Sequence, residues 1–205
     1  MPPSSTHPRA PVLVTGFEPF GGALHNPSLQ IAQALDGRRV AGRRVVGAVL
    51  PTVFGTAAKQ LLALVEQHRP ALVLCLGQAG GRAAMSFERV AINLDDAGIP
   101  DNAGAQPRDR PVLPGGPAAY FATVPVKAMH AALCAAGLPA ELSSSAGSFV
   151  CNHVFYALLH ALAAQPARVP AGFIHLPWLP EQGTPALPLA EMLRGAELAI
   201  GAALA

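Results

Sequence analysis

The sequence predicts a single three-layer α/β/α domain built on a twisted, largely parallel (mixed) sheet. Three observations carry this. Short continuous apolar runs at Val12-Leu13-Val14, Ala71 to Leu76 and Gly172 to Leu176 suit strands buried on both faces. Helix-periodic runs separate the early strands, giving the β-α-β rhythm of a parallel sheet with right-handed crossovers. Of 205 residues, 51% are apolar and only 13% charged, which supplies a large core and argues against disorder.

Residues 1–10, rich in Pro and Ser, read as a loose tail before a domain spanning 11–205. The strand at Val12 ends in the loop Phe17-Glu18-Pro19-Phe20-Gly21-Gly22. Asn26-Pro27 pairs an N-cap residue with proline at the first helical position and opens a helix to Leu35. Val45 to Leu50 is a second strand, stopped by Pro51, and Phe54 to His68 is helix-periodic through Ala57, Leu61, Leu64 and Val65. The strand Ala71 to Leu76 runs into Gly77-Gln78-Ala79-Gly80-Gly81. Ser86 to Leu94 alternates as one strand, with Glu88 on the apolar face beside Val90 and Ile92. Residues 95–118, rich in Gly, Pro and Asp, form a long irregular segment of the kind that often carries function. Tyr120 to Val124 is a short strand and Pro125 to Ala136 a helix. An extended run from Glu141 to Ser145 enters Ala146-Gly147-Ser148-Phe149-Val150-Cys151-Asn152-His153, and a helix follows with Val154, Phe155, Leu158, Leu159 and Leu162 on one stripe. The strand ending at His175-Leu176 is closed by Pro177, and Ala186 to Leu204 is a terminal helix.

Composition narrows the function classes. The formal charge is +2, with no basic block beyond Arg38-Arg39 and Arg43-Arg44, and aromatic platforms are few, so nucleic acid is not the expected partner. No apolar run reaches the ~20 residues that span a bilayer, and the N-terminus lacks a signal-peptide core. Three widely spaced cysteines without a CxxC argue against a disulfide framework or a zinc site. Asp95, Asp96 and Asp101 have no histidine or cysteine at ligand spacing, so they read as a solvated loop. These features point to a reduced cytoplasmic compartment and away from a metal site.

In open α/β sheets, ligands collect at the carboxyl ends of the strands. Four loops lie there: 17–22, 77–81, 148–151 and 175–180. Cys75 is mid-strand, and Cys134 lies near a helix C-terminus, where the dipole disfavours a thiolate. Cys151 opens a helix, where free N–H groups and the positive dipole favour one. Position alone leaves two readings of Cys151 open, a nucleophile or a small buried apolar residue. A nucleophilic thiol needs a base. His153 is two residues along the same helix and faces away, whereas His175 closes a strand at the expected site; its alternative is a satisfied core histidine. Glu88, turned into apolar surroundings, needs a partner. A histidine satisfies it in a triad, and an arginine such as Arg82 in a structural ion pair.

The stretches Val14 to Gly22 with Asn26-Pro27-Ser28, Gly77 to Arg82, Glu88 to Asn93 with Ile99-Pro100-Asp101-Asn102, Gly115 to Tyr120, Ala146 to His153 and Gly172 to Pro177 follow one another along almost the whole chain. Together they resemble the pyroglutamyl peptidase I family, the pyrrolidone-carboxylate peptidases. The resemblance implies cytoplasmic, commonly tetrameric cysteine exopeptidases that remove an N-terminal pyroglutamyl (5-oxoproline) residue from peptides without a metal or cofactor. It carries the family's triad onto Glu88, Cys151 and His175. It assigns packing of the lactam ring to Phe17 and Phe20 and backbone contact with the lactam to Gln78, with Ile99, Phe149 and Val150 completing the pocket. One departure stands out: Gly98 precedes Ile-Pro-Asp-Asn where the bacterial pattern has arginine, a role that Arg108 or Arg110 would have to fill. It motivates one alternative, a catalytically weak pyroglutamyl-binding homologue. A cysteine amidase acting on other small lactam-like acyl groups is a second.

Overall fold

The structure, a computed structural model, describes residues 9–165 and 169–205. Most of the expected tail, residues 1–8, therefore lies outside the described residues. The chain runs β1 (Val12–Phe17), α1 (Pro27–Leu35), β2 (Arg39–Val40), β3 (Arg43–Leu50), α2 (Thr56–His68), β4 (Leu72–Gln78), β5 (Met85–Glu88), β6 (Val90–Ile92), β7 (Ala119–Phe121), α3 (Val126–Ala135), β8 (Ala140–Ser143), α4 (Val150–Ala163), β9 (Ala171–Leu176) and α5 (Leu189–Leu204). The main sheet has the order β2-β3-β1-β4-β9-β5-β8, and β6 and β7 form a separate antiparallel pair. Strands β3, β1, β4 and β9 are mutually parallel. β5 runs antiparallel to β9 and parallel to β8.

The alternation within each strand builds two cores. Val12, Val14, Leu72, Leu74, Leu76, Ile174 and Leu176 face one way, packing with Met129, Leu133, Met192 and Ile200 of α3 and α5. Leu13, Phe17, Val73, Cys75, Ala171 and Phe173 face the other way, onto Leu61 of α2 and Val154, Phe155 and Leu158 of α4. On the first face α1 lies almost on the sheet backbone: a Cβ on Gly16 would stand 2.1 Å from the Ser28 carbonyl, and one on Gly47 2.0 Å from that of Ala32. Asn26 caps α1 as expected, its side-chain oxygen accepting from the Ser28 N–H at 3.0 Å.

The structure adds detail to the sequence reading and moves some of its boundaries. The alternating run from Ser86 is two strands rather than one. Arg89 is exposed and its N–H donates to Ser143 O, after which the chain leaves the main sheet for the β6–β7 pair. The arginine-rich turn before β3 is an antiparallel pairing of β2 with β3, its two-residue turn made by Ala41 (φ 48°) and Gly42 (φ 75°). The last helix begins at Leu189, not Ala186. Finally α4 is buried on nearly all sides rather than along one stripe, because α2, β9 and the β6–β7 pair all pack against it. No helix among the described residues is long and apolar enough to cross a membrane.

Candidate active site

The face carrying α2 and α4 collects the chemistry. Along β9, Ala171 and Phe173 point at this face, so His175 points there too, with 4% of its surface exposed. The antiparallel register sets Ser86 opposite His175 and Glu88 opposite Phe173. Glu88 is therefore a diagonal neighbour of His175, within reach for a long side chain. Its Oε1 lies 2.8 Å from His175 Nδ1. The same oxygen accepts from Arg82 at 2.7 Å, and Arg82 also donates to the Ser145 carbonyl at 3.3 Å. Both partners that the sequence offers for the buried carboxylate are thus engaged at once.

Cys151 is the second residue of α4. Gly147 (φ 76°) turns the chain, and Phe149 is extended (φ −98°, ψ −167°) and gives no side-chain cap. The first-turn N–H groups therefore keep their hydrogen-bonding capacity at the positive end of the helix. The thiol rests against the backbone of β4: a Cβ on Gly77 would lie 2.9 Å from Cys151 Sγ and 2.8 Å from the Phe173 ring. Gly77 is the register partner of His175. A bare glycine is what lets the sulfur settle beside that histidine.

The electrostatics differ from the helix-end expectation. Burial pushes the Cys151 thiol up to about 12, reinforced by the Glu88 charge, and Arg82 and the backbone hydrogen bond only partly offset this. The resting protein therefore holds a thiol rather than a preformed thiolate. Burial also lowers the basicity of His175 against the opposing pull of Glu88. For Glu88, burial works against ionisation, but the hydrogen bond and charge of His175, helped by Arg82, outweigh it and leave the carboxyl below its ordinary value. A neutral imidazole beside a buried thiol, oriented by an ionised carboxylate, can take the thiol proton when an acyl group arrives. Cys75 is fully buried with its thiol also pushed up to about 12, and Cys134 is exposed on α3.

Around this centre the first loop and the α4 entry meet. The Phe20 and Phe149 rings are 5.7 Å apart. Ile99, 43% exposed, comes close to Gly21, whose Cβ would lie 3.3 Å from its Cδ1. Phe17 (1% exposed) and Val150 (0%) are closed off behind these residues, Phe17 packing on Phe173 with ring centroids 6.4 Å apart. Gln78, at the end of β4, accepts from Gln182 Nε2 at 2.9 Å, and that amide also donates to His25 O at 3.0 Å. A cleft of about 370 Å³ lined by Leu24, His25, Gln78, Trp178, Glu181 and Gln182 opens beside it. A roomier cavity of about 680 Å³, lined by Leu62, Arg69 and Gln165, shares no residue with this cluster. Nothing stands within 4 Å of a Cβ at Gly98, so its loop has room for a side chain there; Arg108 reaches Asp96 instead, at 3.9 Å. Among the described residues no group of three His, Cys, Asp or Glu side chains is placed to hold a metal ion.

Three contributors escaped the sequence reading. Phe54 stands edge-on to Phe149 at 5.4 Å. It follows the carboxyl end of β3, a fifth strand-end loop beside the four singled out. Asn152 is fully buried and clasps β6, accepting from Ile92 N–H at 2.9 Å and donating to the Ile92 and Leu94 carbonyls at 2.9 and 3.0 Å. Asp101 is no solvated loop residue: it is 5% exposed and accepts from Ala103, Ala105 and Phe54 N–H groups at 2.8–2.9 Å.

Comparison with known proteins agrees with this architecture. A family model described as Pyroglutamyl peptidase matches residues 10–205. The chain is 57% identical over 194 residues to the pyrrolidone-carboxylate peptidase of Gloeobacter violaceus, covering 92% of this chain and 94% of that one. It is 55% identical over 199 residues to that of Cupriavidus necator, covering 94% and 92%. The crystal structure of the pyroglutamyl peptidase I from Bacillus amyloliquefaciens superposes with a TM-score of 0.93 at 40% identity, covering 95% of each chain. With a family match over nearly its whole length and relatives above half identity, the chain belongs to the pyroglutamyl peptidase family.

Proposed function

We propose that this cysteine peptidase releases N-terminal pyroglutamyl residues through a thioester on Cys151, with His175 as general acid–base and Glu88 as its orienting carboxylate. The observation that carries the reading is the buried His175–Glu88 pair at 2.8 Å, with the Cys151 thiol packed against Gly77, the register partner of His175. Because Nδ1 is committed to Glu88, Nε2 is the nitrogen that exchanges protons. As Sγ attacks the pyroglutamyl carbonyl, the S–H proton passes to Nε2 and the carbonyl oxygen becomes an oxyanion. First-turn N–H groups of α4, that of Cys151 among them, stabilise this charge. Collapse breaks the C–N bond, and Nε2 delivers its proton to the leaving amine. Water, deprotonated by the same nitrogen, then hydrolyses the thioester and restores the thiol.

The substrate end is neutral, a lactam without an ammonium group. Phe20, Phe149 and Ile99 offer the apolar enclosure such a ring needs, Phe17 and Val150 form its buried backing, and the Gln78 backbone supplies polar contact. A site built to pair the lactam polar groups penalises a ring that lacks them. Hydrolysis of a pyroglutamyl-amide is expected to exceed that of the matching prolyl-amide by about 10⁴-fold in kcat/KM, and thiol alkylation should remove it. Comparable rates on the two amides would reject the lactam reading, and activity surviving alkylation would reject the thiol.

The same reading places the enzyme in the cytoplasm, where Cys151 stays reduced, and assembles it as a homotetramer. Free Cys75, Cys134 and Cys151 suit a reducing compartment. The exposed apolar side chains of Leu24 (86%) and Phe121 (72%) suit subunit contacts. Light scattering on the purified protein should return four times the chain mass, and a monomer at micromolar concentration would reject the tetramer.

A further inference from the structure

A second buried histidine–carboxylate pair involves His153, which does not serve as base to Cys151. His153 and Asp95 are 9% and 6% exposed, with His153 Nδ1 2.8 Å from Asp95 Oδ2. The opposite nitrogen, Nε2, accepts from the Gly55 N–H at 3.1 Å. A nitrogen that accepts carries no proton, so Nδ1 carries it and donates to Asp95. Asp95 is itself fixed by a two-way backbone pairing with Arg110, at 2.7 and 3.0 Å. The imidazole is therefore gripped at both ends, one on a carboxylate and one on a loop.

That loop matters because of what precedes Gly55. Gly55 has φ 68°, a conformation that favours glycine, and the Phe54 N–H beside it is held by Asp101 Oδ2 at 2.9 Å. Phe54 is thus pinned through two consecutive backbone N–H groups, its own and the next. Its ring stands edge-on to His153 at 5.5 Å and edge-on to Phe149 at 5.4 Å, and Phe149 meets Phe20 at 5.7 Å. An unbroken aromatic chain runs from His153 to the ring of the first loop, and Phe149 is the residue from which α4 and Cys151 start.

We propose that His153 is a positioning residue for the lactam pocket: through its hydrogen bond to Gly55 it sets Phe54 against Phe149 and so governs substrate affinity rather than the chemical step. This rests on the lactam reading above. His153 faces away from the thiol along α4, so its influence travels through the pocket wall and leaves the Cys151–His175–Glu88 set untouched.

The test separates the two ends of the imidazole. His153→Gln keeps an acceptor where Nε2 stood and retains the Gly55 bond. His153→Asn keeps a donor toward Asp95 and loses the Gly55 bond, and Phe54→Leu leaves the backbone bonds but removes the aromatic link. KM for a pyroglutamyl-amide and the inhibition constant of 2-pyrrolidone, the bare lactam, are measured alongside kcat. Both should rise about tenfold or more in His153→Asn and in Phe54→Leu, with kcat within about threefold, and both should return near wild type in His153→Gln. Unchanged KM and inhibition constant in Phe54→Leu, a fall in kcat alone in His153→Asn, or equal loss in the Asn and Gln variants would each overturn the proposal. If His153→Asn does not fold, Phe54→Leu decides alone. A wild-type protein inactive on the pyroglutamyl-amide removes the lactam reading and this inference with it, whereas an active wild type with indifferent variants overturns the inference only.

Discussion

Cys151→Ser is expected to lower kcat on a pyroglutamyl-amide by about 10⁴–10⁶-fold, the range seen when a nucleophile is removed from a triad that acts as a unit. The exchange changes one atom in a fully packed place, so the fold should persist. The loss comes from the proton. Even the thiol here is pushed up to about 12, and an alcohol in the same dry site gives up its proton with still more difficulty. His175, whose own basicity burial lowers, is able to take a proton from sulfur as the C–S bond forms but is poorly matched to an alkoxide. Release of the amine, followed with enzyme in excess to expose a single turnover, gives the number. Activity within tenfold of wild type, with thermal unfolding unchanged, would remove Cys151 from the chemistry.

Glu88→Gln is expected to cost about 10²–10⁴-fold in kcat, approaching what an orienting carboxylate contributes elsewhere. Two bonds converge on Glu88 Oε1, from His175 at 2.8 Å and Arg82 at 2.7 Å. A neutral amide keeps the shape but loses the charge that draws Nδ1–H and fixes which nitrogen faces the thiol. The pH profile carries a sign. Ionised Glu88 raises the basicity of His175, so its removal lowers it further. The acidic limb of kcat/KM, which marks the imidazole becoming neutral in the free enzyme, should move to lower pH while the plateau falls. An acidic limb moving upward, or a plateau unchanged from wild type, would take Glu88 out of this role.

The strands and their order of appearance were readable because buried parallel strands announce themselves as unbroken apolar runs: Val12-Leu13-Val14 and Leu72 to Leu76 needed no tertiary information. Glu88 and His175 were readable as anomalies, a carboxylate on an apolar face and an imidazole at a strand end. Their contact was not, because it depends on β5 entering the sheet antiparallel between β9 and β8, and strand order leaves no local mark. The alternation from Ser86 to Leu94 predicts one strand through Arg89 because period two survives a change of sheet. The spacing of His153 from Cys151 along the helix excludes it as a base but carries no sign of its pairing with Asp95, 58 residues away. At Cys151 the helix end and burial pull the thiol in opposite directions, and burial, which depends on packing that leaves no local mark, prevails.

The position of β9 has a consequence for how the enzyme comes into being. It is the last strand in the chain order, yet it lies between β4 and β5 and, among the described residues, joins β2-β3-β1-β4 to β5-β8 in the main sheet. A chain cut short before residue 171 keeps Cys151 and Glu88 but lacks His175, the base in the proposed mechanism, and lacks the strand that bridges β4 and β5. Its pairing with Glu88 closes a loop of 87 residues, a slow kind of contact to form. On the proposed roles, His175 meets Glu88 in the same step that joins the two parts of the sheet, so a chain lacking β9 is expected to release no amine from a pyroglutamyl-amide.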